Sequence, residues 1–582
     1  MKTLLLFIGT ILLEFHQYHV FAQCASNDWS TYLGGTKYEY AEEIATDVQG
    51  NSVITGKTQS ASLVATPGAY QTKLSGGSDA FVAKYDQAGN LLWSTYFGGP
   101  KLDYAYAIAV DLNCNIFIGG RAESSTGMTT PGSLQAVYGG GPNDGFVAKF
   151  SPDGDLLWCT YYGGKSGEWI LGLATDPTGN IYITGYTGST TGIATEGAQQ
   201  TVHGGEMDCF ILKLDADGRR QFCTYFGGEG EDRPHDIQVD QEGNIFHFAT
   251  TPSDSGMTTP DAFQVKNGGR LDLSVSKWTS TGQLLWATFV GGKGDDRARE
   301  CFPDDEGNIY LTGFTNSEKS IATDGAYQTT IHPDPNGKLL FDAFIIKFDG
   351  DGHRLWGTYY GGTKKEYGRG LRITDRNTIL ISGVACSKDY MSTAGAFQTK
   401  RKGQSDAYLA EFSATGQLIA ATYFGGSESE PYEIGYGPSI DLDAEGNVYM
   451  ALTTNSSDIP NAMDTFHIGE TDKMYDVVLT RFPDEVARIV TSSLLPGEIM
   501  DMTLYPNPVT SVATLSVYSA CDLQVTIRVT DLTGRVVCSL PVDVHKGMNE
   551  STLNFEQIKS GTYLVSIPEL WNEGSRKIVV SH

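Results

Sequence analysis

The sequence predicts an all-β chain: a seven-bladed β-propeller of four-stranded blades, closed by its own N-terminal strand and followed by a small C-terminal β-sandwich. Three observations carry this expectation. A phrase of the type "LLWSTYFGG" (Leu91–Gly99) recurs at one period through most of the 582 residues. Each period holds four strand-like segments bounded by turn residues. The last period lacks one of the four, and a spare copy of it stands near the start of the chain.

The phrase returns as "WSTYLGG", "LLWCTYYGG", "RQFCTYFGG", "LLWATFVGG", "RLWGTYYGG" and "LIAATYFGG", with its second glycine at Gly35, Gly99, Gly164, Gly228, Gly292, Gly362 and Gly426. The spacings are 64, 65, 64, 64, 70 and 64 residues. Such a period marks one supersecondary unit copied along the chain, stacked because no copy buries its apolar face alone. Within it, strand A ends in an Asp/Asn-Gly turn, as in "GLATDPTGN", and strand B follows at once, as in "NIYITGYT". Strand C is "DAFVAKYD" (Asp79–Asp86) and its relatives, and strand D is the phrase itself. Strands C and D are apolar at both alternating sets of positions, so both faces should be covered, which sheets stacked around an axis provide. Strands A, B and C occur seven times. The last C, "YDVVLTRF" (Tyr475–Phe482), has no D after it, so Trp29–Gly35 should supply the outer strand of the seventh blade and close the ring.

These phrases, together with "TPGAYQT", resemble the β-propeller repeat (SBBP-type) proteins over roughly Trp29–Phe482. That family carries no settled enzymatic activity. Departures fall in the sixth blade, with "RNTILISG" and extra residues at "TIHPDPNGKLL" (Thr330–Leu340), and in the seventh, which lacks the "GAFQ" phrase. Further on, "LYPNPVTSVATLSV" (Leu504–Val517), "VTIRVTDLTGRVV" (Val525–Val537), "GTYLVSI" (Gly561–Ile567) and "KIVV" (Lys577–Val580) together resemble the C-terminal sorting domain of type IX secretion substrates. The resemblance implies the type IX secretion machinery as a partner. Before the repeats, Met1 and Lys2, the apolar run Leu4–Leu13 and "VFA" (Val20–Ala22) resemble a secretory signal peptide. The expected organisation is a signal peptide at 1–22, the propeller at 23–483, a linker at 484–500 and the sorting domain at 501–582.

A formal charge of -28 disfavours phosphate backbones and anionic lipid surfaces as partners, and no run of about 18 apolar residues predicts a transmembrane helix. The nine cysteines show no zinc spacing. Cys209 and Cys223 fall on adjacent strands, where they form a disulfide or remain buried thiols. Histidines 203, 235, 247, 332, 353 and 467 sit at unrelated places in the repeat. The "DADG" and "DGDG" turns (Asp215–Gly218, Asp349–Gly352) lack the remainder of a calcium loop and read as ordinary turns. Trp93, Trp158, Trp286 and Trp356 read as packing between blades.

The B–C connections are the long ones, so the face they share with the D–A connections is where recognition of a glycan or protein ligand is expected. Four residues past each second glycine stands a carboxylate: Glu39, Asp103, Glu168, Asp232, Asp296, Glu366 and Glu430. With strand A innermost, these predict a ring at the channel mouth suited to Ca2+ or a hydroxyl-rich ligand, or alternatively seven acceptors for the amides of their own loops. No catalytic or cofactor-binding residue is assigned. The functional expectation is an exported binding or adhesion module, secreted or attached at the outer-membrane surface. A carbohydrate-active enzyme using the top-face carboxylates and a structural surface-layer component are the alternatives.

Overall fold

The computed structural model describes residues 27–62, 64–430, 437–463 and 475–483, and between 499 and 580 the strands with a few adjoining turns. The expected signal peptide, Cys24, His467 and most of the expected linker lie outside them. Every described element is a strand. Six four-stranded antiparallel sheets follow in chain order, spanning 39–97, 103–162, 168–226, 233–290, 296–360 and 366–424. The seventh is ordered Trp29–Leu33, Asp476–Phe482, Val448–Thr454, Ser439–Leu442, so the N-terminal strand is its outer member. Trp29 lies opposite Arg481 and Leu33 opposite Val477. The seam is also bonded by side chains. Buried Asn27 donates to Ser30 Oγ (2.8 Å), Thr480 Oγ1 (3.0 Å) and the Pro460 carbonyl (3.1 Å).

Two details differ from the sequence reading. Strand D is covered only in its second half: Leu92, Leu157, Leu285 and Leu355 near its start are each 49% exposed, because D is the outer edge and its first residues overhang the rim. Strand B instead shares full burial with C in most blades. The long insertion Thr330–Leu340 joins Thr315 to Asp342 and so belongs to the fifth sheet, not the sixth.

Neighbouring blades are joined by a repeated contact. The indole of strand D lies on the C–D turn of the next blade: Trp93 Nε1 donates to the Pro152 carbonyl (2.9 Å), Trp158 to Ala216 (3.3 Å), Trp286 to Gly350 (2.9 Å) and Trp356 to Ala414 (3.1 Å). Trp29 does the same across the seam, to Gln87 (3.1 Å). Closer to the axis, carboxylates of one inner strand accept amides of the next. Glu43 takes Ile108 N (2.8 Å), Asp236 takes Cys301 N (2.9 Å), Glu300 takes Leu371 N (2.7 Å) and Asp441 takes Thr46 N (2.6 Å).

Residues 499–580 form two antiparallel sheets, one of three strands and one of four, around a core including Leu515, Ile527, Val529, Phe555, Val565 and Val580. The hairpin expected at Val525–Val537 is present as Leu523–Asp531 paired with Val536–Val544.

Closing the ring through five residues gives a graded expectation. Asn27→Ala leaves buried hydroxyls and a carbonyl short of a donor and should cost about 1–3 kcal/mol in urea unfolding. Deleting residues 27–35 should lower the melting temperature further and cause aggregation visible by light scattering, because the edge of Asp476–Phe482 is then unpaired. A deletion that melts like the parent chain contradicts the seam.

Candidate functional site

Six of the seven carboxylates open or immediately precede the inner strands, while Glu430 lies nine residues before Ser439, and all are buried, none more than 1% exposed. The amide of the second glycine donates to each: Gly35 to Glu39 (2.9 Å), Gly99 to Asp103 (2.7 Å), Gly164 to Glu168 (3.0 Å), Gly228 to Asp232 (2.7 Å), Gly292 to Asp296 (2.8 Å), Gly362 to Glu366 (2.8 Å) and Gly426 to Glu430 (3.3 Å). A Thr or Ser just after strand B adds further bonds, as Thr58 Oγ1 to Glu39 (2.7 Å) and Ser124 Oγ to Asp103 (2.6 Å). Of the two arrangements the sequence allowed, these bonds are those of the second: the side chains are turned away from solvent and accept amides of their own loops. Among the described residues, no group of three or more His, Cys, Asp or Glu side chains is placed to hold a metal ion.

Each of these carboxylates has an acidic neighbour that the sequence reading passed over, the aspartate opening strand C of the preceding blade. Asp144 neighbours Glu168, Asp342 neighbours Glu366, Asp406 neighbours Glu430 and Asp476 neighbours Glu39. The first glycine of the pair lies between the two acids: a Cβ at Gly163 would come within 2.5 Å of Glu168 Oε2 and 2.8 Å of Asp144 Cγ. The second presses on a serine, a Cβ at Gly164 lying 2.7 Å from Ser189 Cβ. The "GG" phrase is therefore a demand for space. Burial and the adjacent Glu366 push the Asp342 carboxyl up to about 9. Burial with Asp406 pushes Glu430 to about 8, and burial with Glu39 pushes Asp476 to about 8.

Different residues face the axis. Counting each buried carboxylate as the first residue, the register of strand A slips between the third and fifth residues in the first five blades, and in the sixth it slips across Arg369 and Gly370. A bulge of this kind frees one residue from the ladder and re-aims its side chain. The fourth residues are Glu42, Tyr106, Leu171, His235, Arg299 and Arg369. The counterpart in blade seven falls in 431–436, outside the described residues. Arg369 Nη2 reaches from the sixth blade to the Glu42 carbonyl of the first (2.7 Å), and Arg299 Nη1 meets His235 Nδ1 (3.0 Å). Burial and the nearby Arg369 and Arg297 pull the Arg299 guanidinium down to about 9, and burial beside Arg299 holds His235 well below its ordinary value. Burial raises Glu42 to about 7 against the pull of Lys57, Arg369 and Arg299.

Between blades at this level runs a ladder of rings and cations. Lys57 Nζ lies 4.9 Å from the Tyr40 ring and 4.8 Å from Tyr104, and the Arg121 guanidinium lies 4.6 Å from Tyr104 and 4.7 Å from Trp169. Each cation is sandwiched between aromatic faces, whose quadrupoles attract it, and Arg121 also lies 3.9 Å from Glu123 Oε1.

The remaining candidates stay separate. Cys209 faces Phe226 while Cys223 faces Leu212, and both are buried free thiols. His203 bonds the Thr187 carbonyl (2.9 Å), His247 is fully buried and His353 lies beside Asp349 in an exposed turn (3.1 Å). Asp215 and Asp349 accept amides of their own turns.

A closed ring of seven four-stranded sheets with a separate two-sheet domain defines an all-β propeller protein with a C-terminal accessory domain. Residues 503–581 match the secretion system C-terminal sorting domain, and residues 92–125 and 157–192 match the β-propeller repeat, so the chain carries both modules that its sequence resembles. It is 21% identical over 562 residues to an uncharacterized WD repeat-containing protein of Acanthamoeba polyphaga mimivirus, covering 81% of this chain and 39% of that one. It is 24% identical over 343 residues to the regulatory protein FlaEY of Caulobacter vibrioides, covering 55% of this chain and 34% of that one. The chain thus spans well under half the length of either relative. Similar solved structures include an ulvan lyase, a polysaccharide lyase (TM-score 0.38, 11% identity, 72% of this chain and 92% of that chain), and a puromycin hydrolase (TM-score 0.38, 10% identity, 85% and 62%). No helix among the described residues is long and apolar enough to cross a membrane.

The acid pairs give a pH dependence with a definite sign. Their folded-state values lie above the ordinary carboxylate range, so the stability they contribute is fully present below pH of about 4 and is lost as pH rises toward about 9. The melting temperature should be higher at about pH 5.5 than at about pH 9. Asp342→Asn keeps an acceptor for Gln328 and presents an amide to Glu366, so its advantage over the parent should grow with pH. A parent and variant whose melting curves stay parallel across that range would show that the pair does not share a proton.

Proposed function

We propose that the chain is an exported binding protein whose propeller takes a ligand at the axial mouth of its long-loop face, and that the C-terminal domain delivers it through type IX secretion. One observation carries the binding half of this reading. The repeat is nearly uniform in its turns, its glycine pairs and its buried acids, yet at the bulge the blades present Glu42, Tyr106, Leu171, His235, Arg299 and Arg369 in turn. Seven copies of one scaffold with unlike groups at one place is the pattern of a supporting frame around a specific surface. The sorting-domain match at 503–581 supports the export half, with secretion or retention at the outer surface as its destination.

Two measurements check it. Removal of residues 503–582 should leave a folded propeller inside the producing cell, and its normal appearance in the medium or on the surface contradicts the export reading. The purified full chain, screened against polysaccharides and glycoproteins, should bind at least one of them, with binding lost on substitution of Tyr106 or Leu171. Binding that ignores every axial substitution moves the surface elsewhere.

A further inference from the structure

The axial group is unusual for what it offers. In a chain of net charge -28, three arginines of the fifth and sixth blades, Arg297, Arg299 and Arg369, lie close together around the axis. Each retains a buried nitrogen with no hydrogen-bond partner among the described residues: Arg297 Nε, Arg299 Nη2 and Arg369 Nε. Arg299 itself is only 5% exposed. A buried guanidinium nitrogen left without an acceptor loses its hydration for nothing in return, so three of them close together favour a ligand that supplies one.

The neighbours fix the sign of that acceptor. Arg299 can only donate, so its contact at 3.0 Å makes His235 Nδ1 the accepting atom and leaves the ring proton on Nε2. The imidazole is then neutral and presents a further donor. The carboxylates nearby are committed elsewhere: Asp236 and Glu300 accept the Cys301 and Leu371 amides, and Glu300 is also paired with Arg372. Glu43 accepts the Ile108 amide from the far side of the ring. Among the described residues Glu42 is the one acid in the column of Arg299 and Arg369; both arginines act on its carboxyl, and Arg369 binds its backbone carbonyl.

We propose that the axis of the propeller is an oxyanion-binding site, in which Arg299 and Arg369 hold a carboxylate, sulfate or phosphate group with His235 Nε2 as a further donor. Planar guanidinium donors match the paired oxygens of such groups and bond them about twice as strongly as neutral donors do. Two sources share this chemistry: a free inorganic anion, or the uronate or sulfate-ester group of an acidic polysaccharide. The second source deepens the binding role proposed above and rests on it. The first stands without it.

The experiment uses the full chain. Melting temperature and calorimetric affinity are followed with sodium sulfate and sodium phosphate against sodium chloride at matched ionic strength, then with oligoglucuronate and a neutral glucan of equal length. Sulfate or phosphate should raise the melting temperature saturably beyond chloride. Arg299→Gln and Arg369→Gln should each weaken binding about tenfold or more, Arg299→Lys should weaken it less, and the exposed turn variant Arg219→Gln should bind as the parent does. Oligoglucuronate binding more tightly than sulfate identifies a glycan source, and binding confined to the inorganic salts identifies a free anion. No saturable difference from chloride with any oxyanion, or an undiminished response in both glutamine variants, overturns the site. Should Arg299→Gln fail to fold, Arg369→Gln and displacement of oligoglucuronate by sulfate from the parent decide the matter, and failure of both overturns it equally. Glycan binding that survives both substitutions removes this inference and leaves the binding role. A sulfate response lost in both variants, with no glycan or glycoprotein bound, does the reverse.

Discussion

A ring of stacked sheets holds only if its last sheet meets its first, and every other feature of this propeller presupposes that meeting. Six blades are made of consecutive chain and could form in order, but the seventh takes its outer strand from the other end of the sequence. The strand is five residues long, so backbone pairing alone gives it little hold. Asn27, Ser30 and Thr480 add a buried side-chain network across the seam, and Trp29 sends its indole onward to the first blade, which makes the seventh junction equivalent to the four others that carry an indole. Without that equivalence the stack would end in an open edge, and the axis would have no fixed circumference on which to place a site.

The junctions repeat because one local problem is solved the same way each time. Strand D must turn inward to begin strand A of the next blade while passing the aspartate that opens strand C. Room exists only for glycines, one between two acids and one against a serine, and the acids in turn accept the amides that the tight loop exposes. Buried carboxylates raise the cost of this arrangement at alkaline pH, since two neighbouring acids cannot both ionise without water. The hydrogen bonds they take from loop amides offset part of that cost, and the loop geometry they fix is what aligns successive inner strands.

Much of this was legible in the sequence. The period, the four strand phrases and the surplus N-terminal copy determined the blade count and the closure, because each is a matter of counting. The seven carboxylates were visible too, but their direction was not: alternation along strand A cannot say whether a side chain faces its own loop or the axis when a bulge follows three residues later. The same bulge hid the axial residues, since it shifts them out of the two-residue rhythm by which strand faces are read. The sequence did hold a signal for them. His235, Arg299 and Arg369 occupy one column of the repeat and share no chemistry with Tyr106 or Leu171 in the same column, and lack of agreement inside an otherwise uniform array marks a position released from the scaffold's demands.

That release explains why the arginines can be there at all. A buried guanidinium in a single-layer core would strip water from a charge and disturb packing on every side. Here the seven junctions already set the geometry, so the few bonds that axial side chains make between blades, Arg369 to Glu42 and Arg299 to His235, are not what closes the ring. The inner strands supply committed acids one step further along, at Asp236 and Glu300, which lower the potential of the cluster without occupying its free nitrogens. The outer ladder of Lys57 and Arg121 between aromatic rings holds further cations on the other side of the mouth. A strongly acidic protein thereby gathers cations at its axis, and the contrast between the two would draw an anion away from the outer surface and toward a region where several guanidinium donors lie together.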